Sequence, residues 1–473
     1  MLFHTPEFIT LMIVSLVLFY ALPRWRIPML TVANMIFYVV AGVGNLILFL
    51  AMTAFTYYCS KGMRGPYARF LLWFSIIVNV ANLVFFKYTT FLIRSAENWT
   101  GVKLLTENSF LLKIVLPIGI SFYTFQMIAY LVDVYKKKWE PAQSVFHFWV
   151  FISFFAHLVA GPIMRGREFM PQIDNLAKIR YSAANFRLGA FFLSLGIFKK
   201  VVLADYLTPH VDQFFAHTST MTGAEGWVAA YLFAFQIFFD FSAYSEMALG
   251  IAYFFGMELA VNFRTPYLST NPTEFWRRWH ITLSNWIKDY IYIPLGGSRK
   301  GEVRQYTNLF IAMTVSGIWH GASWTFVAWG MFYGALATVH KIYLVVKEKL
   351  GLGFLDKSRI YHVIAIIVFF HITCIAWVLF RVNGLHNALS LIKRMLSPQA
   401  FHFAGLYMYL AVAVGLFALH IVEHFLQKHR TGLSAWWHRY FPAPVRALLY
   451  TAVAAILILA LRGEQNTFIY FQF

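Results

Sequence analysis

Apolar residues along this chain recur in long runs, not in the alternation of strands or the narrow stripe of a soluble helix. Crossing a hydrocarbon core takes roughly 20 such residues. Runs of about that length occupy 5–22, 27–42, 44–60, 68–93, 108–135, 143–160, 184–216, 224–256, 303–320, 323–346, 360–380, 403–427 and 444–462. A backbone facing lipid must satisfy its own hydrogen bonds, so each run predicts a helix. Several are too short or too polar to cross outright. The pattern therefore predicts an all-α polytopic membrane protein with roughly a dozen transmembrane and re-entrant helices. Basic residues gather in alternate connections: Arg24 and Arg26, then Lys61, Arg64 and Arg69, then Lys136, Lys137 and Lys138. The intervening connections, 42–45 and 97–108, carry little positive charge, which predicts an external N-terminus and basic cytoplasmic loops. The first run, Phe8 to Leu22, follows Pro6 and Glu7 instead of a basic stretch, and reads as a retained helix, not a cleaved signal.

Composition strengthens this picture. Of 473 residues 60% are hydrophobic and 12% charged, against about 25% charged in soluble proteins. The formal net charge of +19 would suggest nucleic acid on a soluble protein. Here basic cytoplasmic loops account for it without a nucleic-acid partner, and they also suit an anionic cytosolic substrate. Cys59 and Cys374 both lie inside apolar runs and form no disulfide framework or CxxC metal site. No repeat, low-complexity tract or long linker interrupts 1–473, so a single membrane-embedded domain is expected.

The middle departs from a plain helix bundle. Residues 257–304 carry Arg264, Arg277, Arg278, Lys288, Arg299, Lys300 and Arg304, placing them on the cytoplasmic side. Within them NPTEFWRRWHITLSNWIKDY opens with Asn271 as N-cap, Pro272 at the first helical position and Glu274 two further on. Phe275, Trp276, Trp279, Leu283, Trp286 and Ile287 then share one face of a helix, and Arg277, Arg278, Ser284 and Lys288 the other. One amphipathic interfacial or re-entrant helix is predicted.

Ionisable groups within apolar runs are expensive and ask for a reason. Asp133 ends LPIGISFYTFQMIAYLVDVY, Asp240 and Glu246 lie in FDFSAYSEM, His280 sits in the tryptophan-rich helix, and His320 in SGIWHGASW. Each carboxylate is explained by a buried pairing unless context says otherwise. His320 has context: Trp319 precedes it and Gly321 follows, at the tip of a hairpin of two apolar runs. A glycine there would let a substrate approach closely, and a neutral imidazole could take a proton from an attacking hydroxyl. The plainer alternative is a tight turn with an incidental histidine. His420-Ile-Val-Glu-His424 fits the H-x-x-E-H zinc pattern, but no third ligand is evident and a metal is not expected.

The blocks LPIGISFYTFQMIAYLVDVY (116–135), HLVAGPIMRGREF (157–169), FDFSAYSEMALG (239–250), NFRTPYLSTNPTEFWRRWHITLSNWIKDYIYIPLGG (262–297) and GIWHGASWTFVAWG (317–330) occur in that order. Together they resemble the membrane-bound O-acyltransferase family, in particular the bacterial branch serving O-acetylation of exopolysaccharides such as alginate and cellulose. The motif-bearing core is 116–330. The resemblance implies helices ringed around a central funnel or tunnel, with His320 as the catalytic histidine and His280 as a second, supporting one. Asp240, Glu246, Trp319 and Asp133 become candidates for the tunnel lining or for structural roles. Arg277, Arg278, Lys288 and Trp279 become candidates for the donor site, by charge more than by family rule. It implies acetyl-CoA or an acyl-carrier thioester as donor, no bound cofactor, the bacterial inner membrane, and a periplasmic SGNH-type acetyltransferase partner in a polysaccharide acetylation machinery. A transporter or flippase would account for the intramembrane polar residues but not for these blocks; an intramembrane zinc protease would need the 420–424 pattern to hold metal. Whether His320 is a base or a transient acyl carrier stays open.

Overall fold

The computed structural model describes residues 3, 5–106, 109–159 and 161–460. Among these the chain is helical, with no strand. Five helices are long and apolar enough to cross a membrane: Val43–Gly62, Ala68–Thr100, Gly223–Phe254, Arg359–Arg381 and Tyr407–Lys428. Pro6–Ala21 and Pro23–Val39 add a sixth span if the two, bent by 118° at their junction, are taken as one. The chain is thus a multi-pass, all-α membrane protein.

Of the other expected spans, 303–320 and 323–346 are present as single helices, as is 444–460, and the rest are divided, shortened or locally rewound. The 143–160 run divides at Phe154 into Val145–Ser153 and Phe155–Leu158. The 184–216 run holds together, but Phe198–Ala204 within it is wound as a π-helix. In the 108–135 run the long helix is confined to Ile120–Tyr135. Residues 108, 160, 461 and 462, at the ends of three expected spans, lie outside the described residues. Three further helices carry too little apolar length for the pattern to announce: Gly166–Asp174, Leu385–Met395 and Arg430–Tyr440.

The chain divides into two compact units, residues 1–196 with 244–261, and residues 197–243 with 262–473. In the first, buried Arg26 donates to the carbonyls of Phe19, Leu176 and Ile179 at 2.5–2.8 Å, with its guanidinium 4.3 Å over the Phe19 ring. Three carbonyl acceptors and a π-face give this cation the partners its burial requires. Two of the motif blocks pack on each other here. The side chains of Gln126 and His157 meet at 3.2 Å. Gly119, at φ +72°, sits where a Cβ would come within 2.7 Å of the Leu158 carbonyl.

The second unit is organised around the predicted hairpin, Glu302–His320 and Trp324–Lys349. Glycines let its two helices touch along their backbones. A Cβ on Gly317 would lie 2.3 Å from the Phe326 carbonyl, and one on Gly330 2.6 Å from that of Met313. With little hydrophobic gain between helices in lipid, such small-residue crossings supply the packing. The turn itself is sharp: Gly321 is extended, and Ser323 Oγ caps the second helix through the Thr325 amide at 3.3 Å.

Gly330→Val is therefore expected to destabilise the protein by about 2 kcal/mol or more, since the backbone opposite cannot yield as a side chain would. Gly353→Ala, where a Cβ meets nothing within 4 Å, should be silent. Thermal unfolding of the two purified variants checks this.

Candidate active site

The 271–290 segment is not one helix. Asn271 caps Pro272–Trp276 as expected, its Oδ1 accepting the Glu274 amide at 2.9 Å, and Glu274 Oε2 returns to the Thr270 amide at 2.8 Å. The helix then stops. His280 adopts φ +41°, and a second helix, Ile281–Ile287, starts from it and runs into a π-turn at Lys288–Tyr292. Left-handed backbone is uncommon for a non-glycine residue and marks a place where the surroundings impose it. The apolar face survives the break: Phe275, Trp279, Leu283, Trp286 and Ile287 are buried, while Arg277 and Lys288 are exposed.

What imposes the turn is the preceding loop. The Arg264 amide donates to the Arg278 carbonyl at 2.9 Å, and the Ile281 amide to the Asn262 carbonyl at 3.0 Å. Asn262 Oδ1 also accepts from the amide and hydroxyl of Thr282, at 3.3 and 2.7 Å. His280 is thus held from both sides.

Its ring is completely buried, edge-on to Phe241 with centroids 4.8 Å apart, and 5.9 Å from Trp319. Trp319 in turn lies 5.0 Å from the ring of His320. His320 ends its helix 4% exposed, in a triangle of rings with Trp329 at 5.0 Å and Phe380 at 5.3 Å, both near-perpendicular to it. Two histidines 40 positions apart in the sequence therefore flank one indole, inside an aromatic wall continued by Trp377 and Tyr333. Gly321 does not leave room for a ligand as expected: the Phe326 ring already occupies its open side, 2.2 Å from where a Cβ would stand.

The other candidates take different places. Trp279 is enclosed, stacked on Phe275 at 5.8 Å and tilted against Trp377 at 4.9 Å, so it packs the wall from within. Arg278 is bonded to Glu274 at 2.6 Å and reaches the Thr265 carbonyl at 3.4 Å. Arg277 and Lys288 keep their charges at the surface. Asp240, in the second unit, is buried against Lys200 Nζ at 2.8 Å, and the same ammonium holds Asp205 at 2.9 Å. In the first unit, Asp133 is buried with Lys138 Nζ 3.9 Å away, and Glu246 is half-buried. Lys199 and Lys200 were legible as two charges in the middle of the 184–216 run, a signal as strong as the carboxylates.

The 420–424 pattern is engaged by protein groups. His420 Nε2 accepts the Tyr267 amide at 3.3 Å, Glu423 bonds Lys199 Nζ at 2.6 Å, and His424 Nδ1 lies 2.9 Å from Thr265 Oγ1. Among the described residues no third histidine, cysteine or carboxylate joins the two imidazoles in a cluster that could hold a metal ion.

Geometry like this carries a pH signature. His280 lies outside every membrane-spanning helix, and burial pushes its imidazole down to about 3. Below about pH 6.5 the unfolded chain takes up a proton there that the folded chain refuses. This contribution to stability is intact above pH 6.5 and is lost progressively as pH falls toward 3. Between pH 7.5 and 5.0 the parent should lose about 2 kcal/mol more than His280→Asn, which tolerates the left-handed turn and does not titrate. Lys200→Met should cost about 3–5 kcal/mol by stranding two buried carboxylates, and Asp205→Asn with Asp240→Asn should recover most of it. Thermal unfolding at the two pH values and of the triple variant reads both.

Comparison with known proteins gives the family of the chain. Residues 142–382, which include His280 and His320, match the model of the membrane-bound O-acyltransferase family. A peptidoglycan O-acetyltransferase of Helicobacter pylori is 33% identical, across 94% of this chain and 91% of its own. A probable alginate O-acetylase, AlgI, of Pseudomonas aeruginosa is 35% identical across 79% of this chain and 70% of its own. The teichoic acid D-alanyltransferase of Bacillus subtilis is 24% identical, across 57% of this chain and 70% of its own. The chain belongs to the membrane-bound O-acyltransferase family and is a multi-pass membrane acyltransferase.

Proposed function

We propose that the protein takes an acetyl group from a cytoplasmic thioester, acetyl-CoA or an acyl carrier, and passes it across the bacterial inner membrane for O-acetylation of an exopolysaccharide. The observation that carries this reading is the placement of His280 and His320 against the single indole of Trp319. The relatives that match most of the chain are named as O-acetyltransferases or O-acetylases, which favours acetyl over other acyl groups. Alginate or cellulose is the expected polymer class. The Helicobacter pylori relative, aligned over nearly all of both chains, supports peptidoglycan as a second acceptor.

The chemistry needs few parts. The acceptor hydroxyl oxygen attacks the thioester carbonyl; the new C–O bond forms as C–S breaks. His320 takes the hydroxyl proton and returns it to the departing sulfur, so the histidine ends as it began. If His320 instead carries the acetyl group, its ring nitrogen forms the C–N bond as C–S breaks and the thiolate leaves; the acceptor oxygen then forms the C–O bond as C–N breaks, and the hydroxyl proton ends on the sulfur. In either path an aromatic enclosure excludes water that would otherwise hydrolyse the thioester. His280 supports the site from the far side of Trp319. Arg277 and Lys288, exposed on the segment carrying His280, suit a donor's phosphates. The acceptor in the periplasm is an SGNH-type acetyltransferase that completes transfer to the polymer.

His320→Ala is expected to lower release of labelled acetyl from acetyl-CoA by about 100-fold or more, with normal accumulation and unfolding temperature. Retained turnover in that variant would remove His320 from the mechanism. A burst of one acetyl per chain in the parent would favour the carrier path, and a linear onset the base path.

A further inference from the structure

The His420-Ile-Val-Glu-His424 motif, left without a metal role, has both of its imidazoles on one loop. His420 accepts the amide of Tyr267, and His424 meets the hydroxyl of Thr265. Both belong to the 262–267 loop, whose contacts from Asn262 and Arg264 clamp the turn at His280. Thr265 itself stands at φ +43°, a conformation that a β-branched residue adopts only when held. The middle residue of the motif completes the arrangement. Glu423 lies 3.4 Å from His420 Nδ1, which places negative charge on the side of the ring away from the loop, and is pinned by Lys199 at 2.6 Å. His420 is fully buried, so its acceptor has no competing water.

We propose that His420 and His424 are positioning residues for acyl transfer, a latch that holds the 262–267 loop so that the loop holds His280 against Trp319. The link runs through hydrogen bonds at every step: histidine to loop, loop to turn, turn to ring position. Both histidines lie beyond residues 142–382, the part of the chain that matches the family. The helix Tyr407–Lys428 thus supplies the latch to a site whose histidines lie at 280 and 320. Its effect on turnover rests on the acyl-transfer reading above; its effect on the loop does not.

Hydrogen–deuterium exchange on the purified full chain separates the two. The Arg264, Ile281 and Thr282 amides bond across the clamp, so peptides covering 262–283 should exchange slowly in the parent. His420→Ala and His424→Ala are each expected to speed exchange there by about threefold to tenfold, the worth of one lost hydrogen bond. Thr265→Val, which removes one hydroxyl at nearly constant shape, should do the same and serves if a histidine variant does not fold; Thr265→Ser should restore protection. In acetyl-thioester turnover the alanine variants should lower kcat by about tenfold or more with donor KM nearly unchanged, and His424→Gln should recover much of it. Unchanged exchange at 262–283 in the folded variants overturns the latch, whatever happens to turnover. A raised donor KM at unchanged kcat overturns the positioning role. A parent chain that releases no acetyl from acetyl-CoA counts against that donor, and the exchange result then decides the latch alone.

Discussion

Polar groups buried in a membrane protein have no bulk water to fall back on, and each must find its partner within the chain. That constraint shapes both units. Arg26 is tolerable because three carbonyls converge on it, and Lys200 because two carboxylates do. Glu423 is tolerable because an ammonium and an imidazole flank it. These pairings link residues far apart in sequence: Lys199 with Glu423, Arg26 with Ile179. Each removes freedom to slide or rotate from helices whose apolar faces alone would not specify a register.

Where charge is absent, close backbone contact does the same work. The hairpin that presents His320 is held by glycines at 317 and 330, and its tip is closed by Phe326 over Gly321. Rigidity there matters for chemistry. In the proposed mechanism an imidazole that meets both a thioester and a hydroxyl gains little from being mobile, and an ångström of misplacement can cost about 100-fold in rate. The ring of His320 is accordingly packed against Trp329 and Phe380, which also touch each other, and against Trp319.

The sequence made the class, most helices and both histidines legible, for a physical reason. Spans announce themselves by continuous apolarity, and a histidine between two such runs stands out against them. What stayed hidden was long-range or conformational. The pairing of Lys200 with Asp240 needs the fold, though the lysines themselves were visible in the 184–216 run. Trp279 resembled a donor contact because charge surrounds it in sequence, yet its ring packs inward on Phe275 and Trp377. Gly321 suggested space that Phe326 fills. The helix break at His280 had no signal at all: no glycine or proline marks it, because the loop at 262–265 supplies the force.

That break solves a geometric problem. Adjacent helical residues point about 100° apart, so a continuous helix that buries Trp279 would turn His280 toward its flank. Here both are fully buried, in different surroundings: Trp279 among Phe275, Phe263 and Trp377, His280 toward Phe241 and Trp319. A left-handed residue redirects the chain between them, so one short segment can anchor itself with a tryptophan and aim a histidine with the next position. Arg277, one turn earlier, still faces out with its charge. The strained turn thus puts an exposed cation, an apolar anchor and a buried imidazole within four residues, an order of environments that fits the proposed donor, charged at one end and reactive at the other.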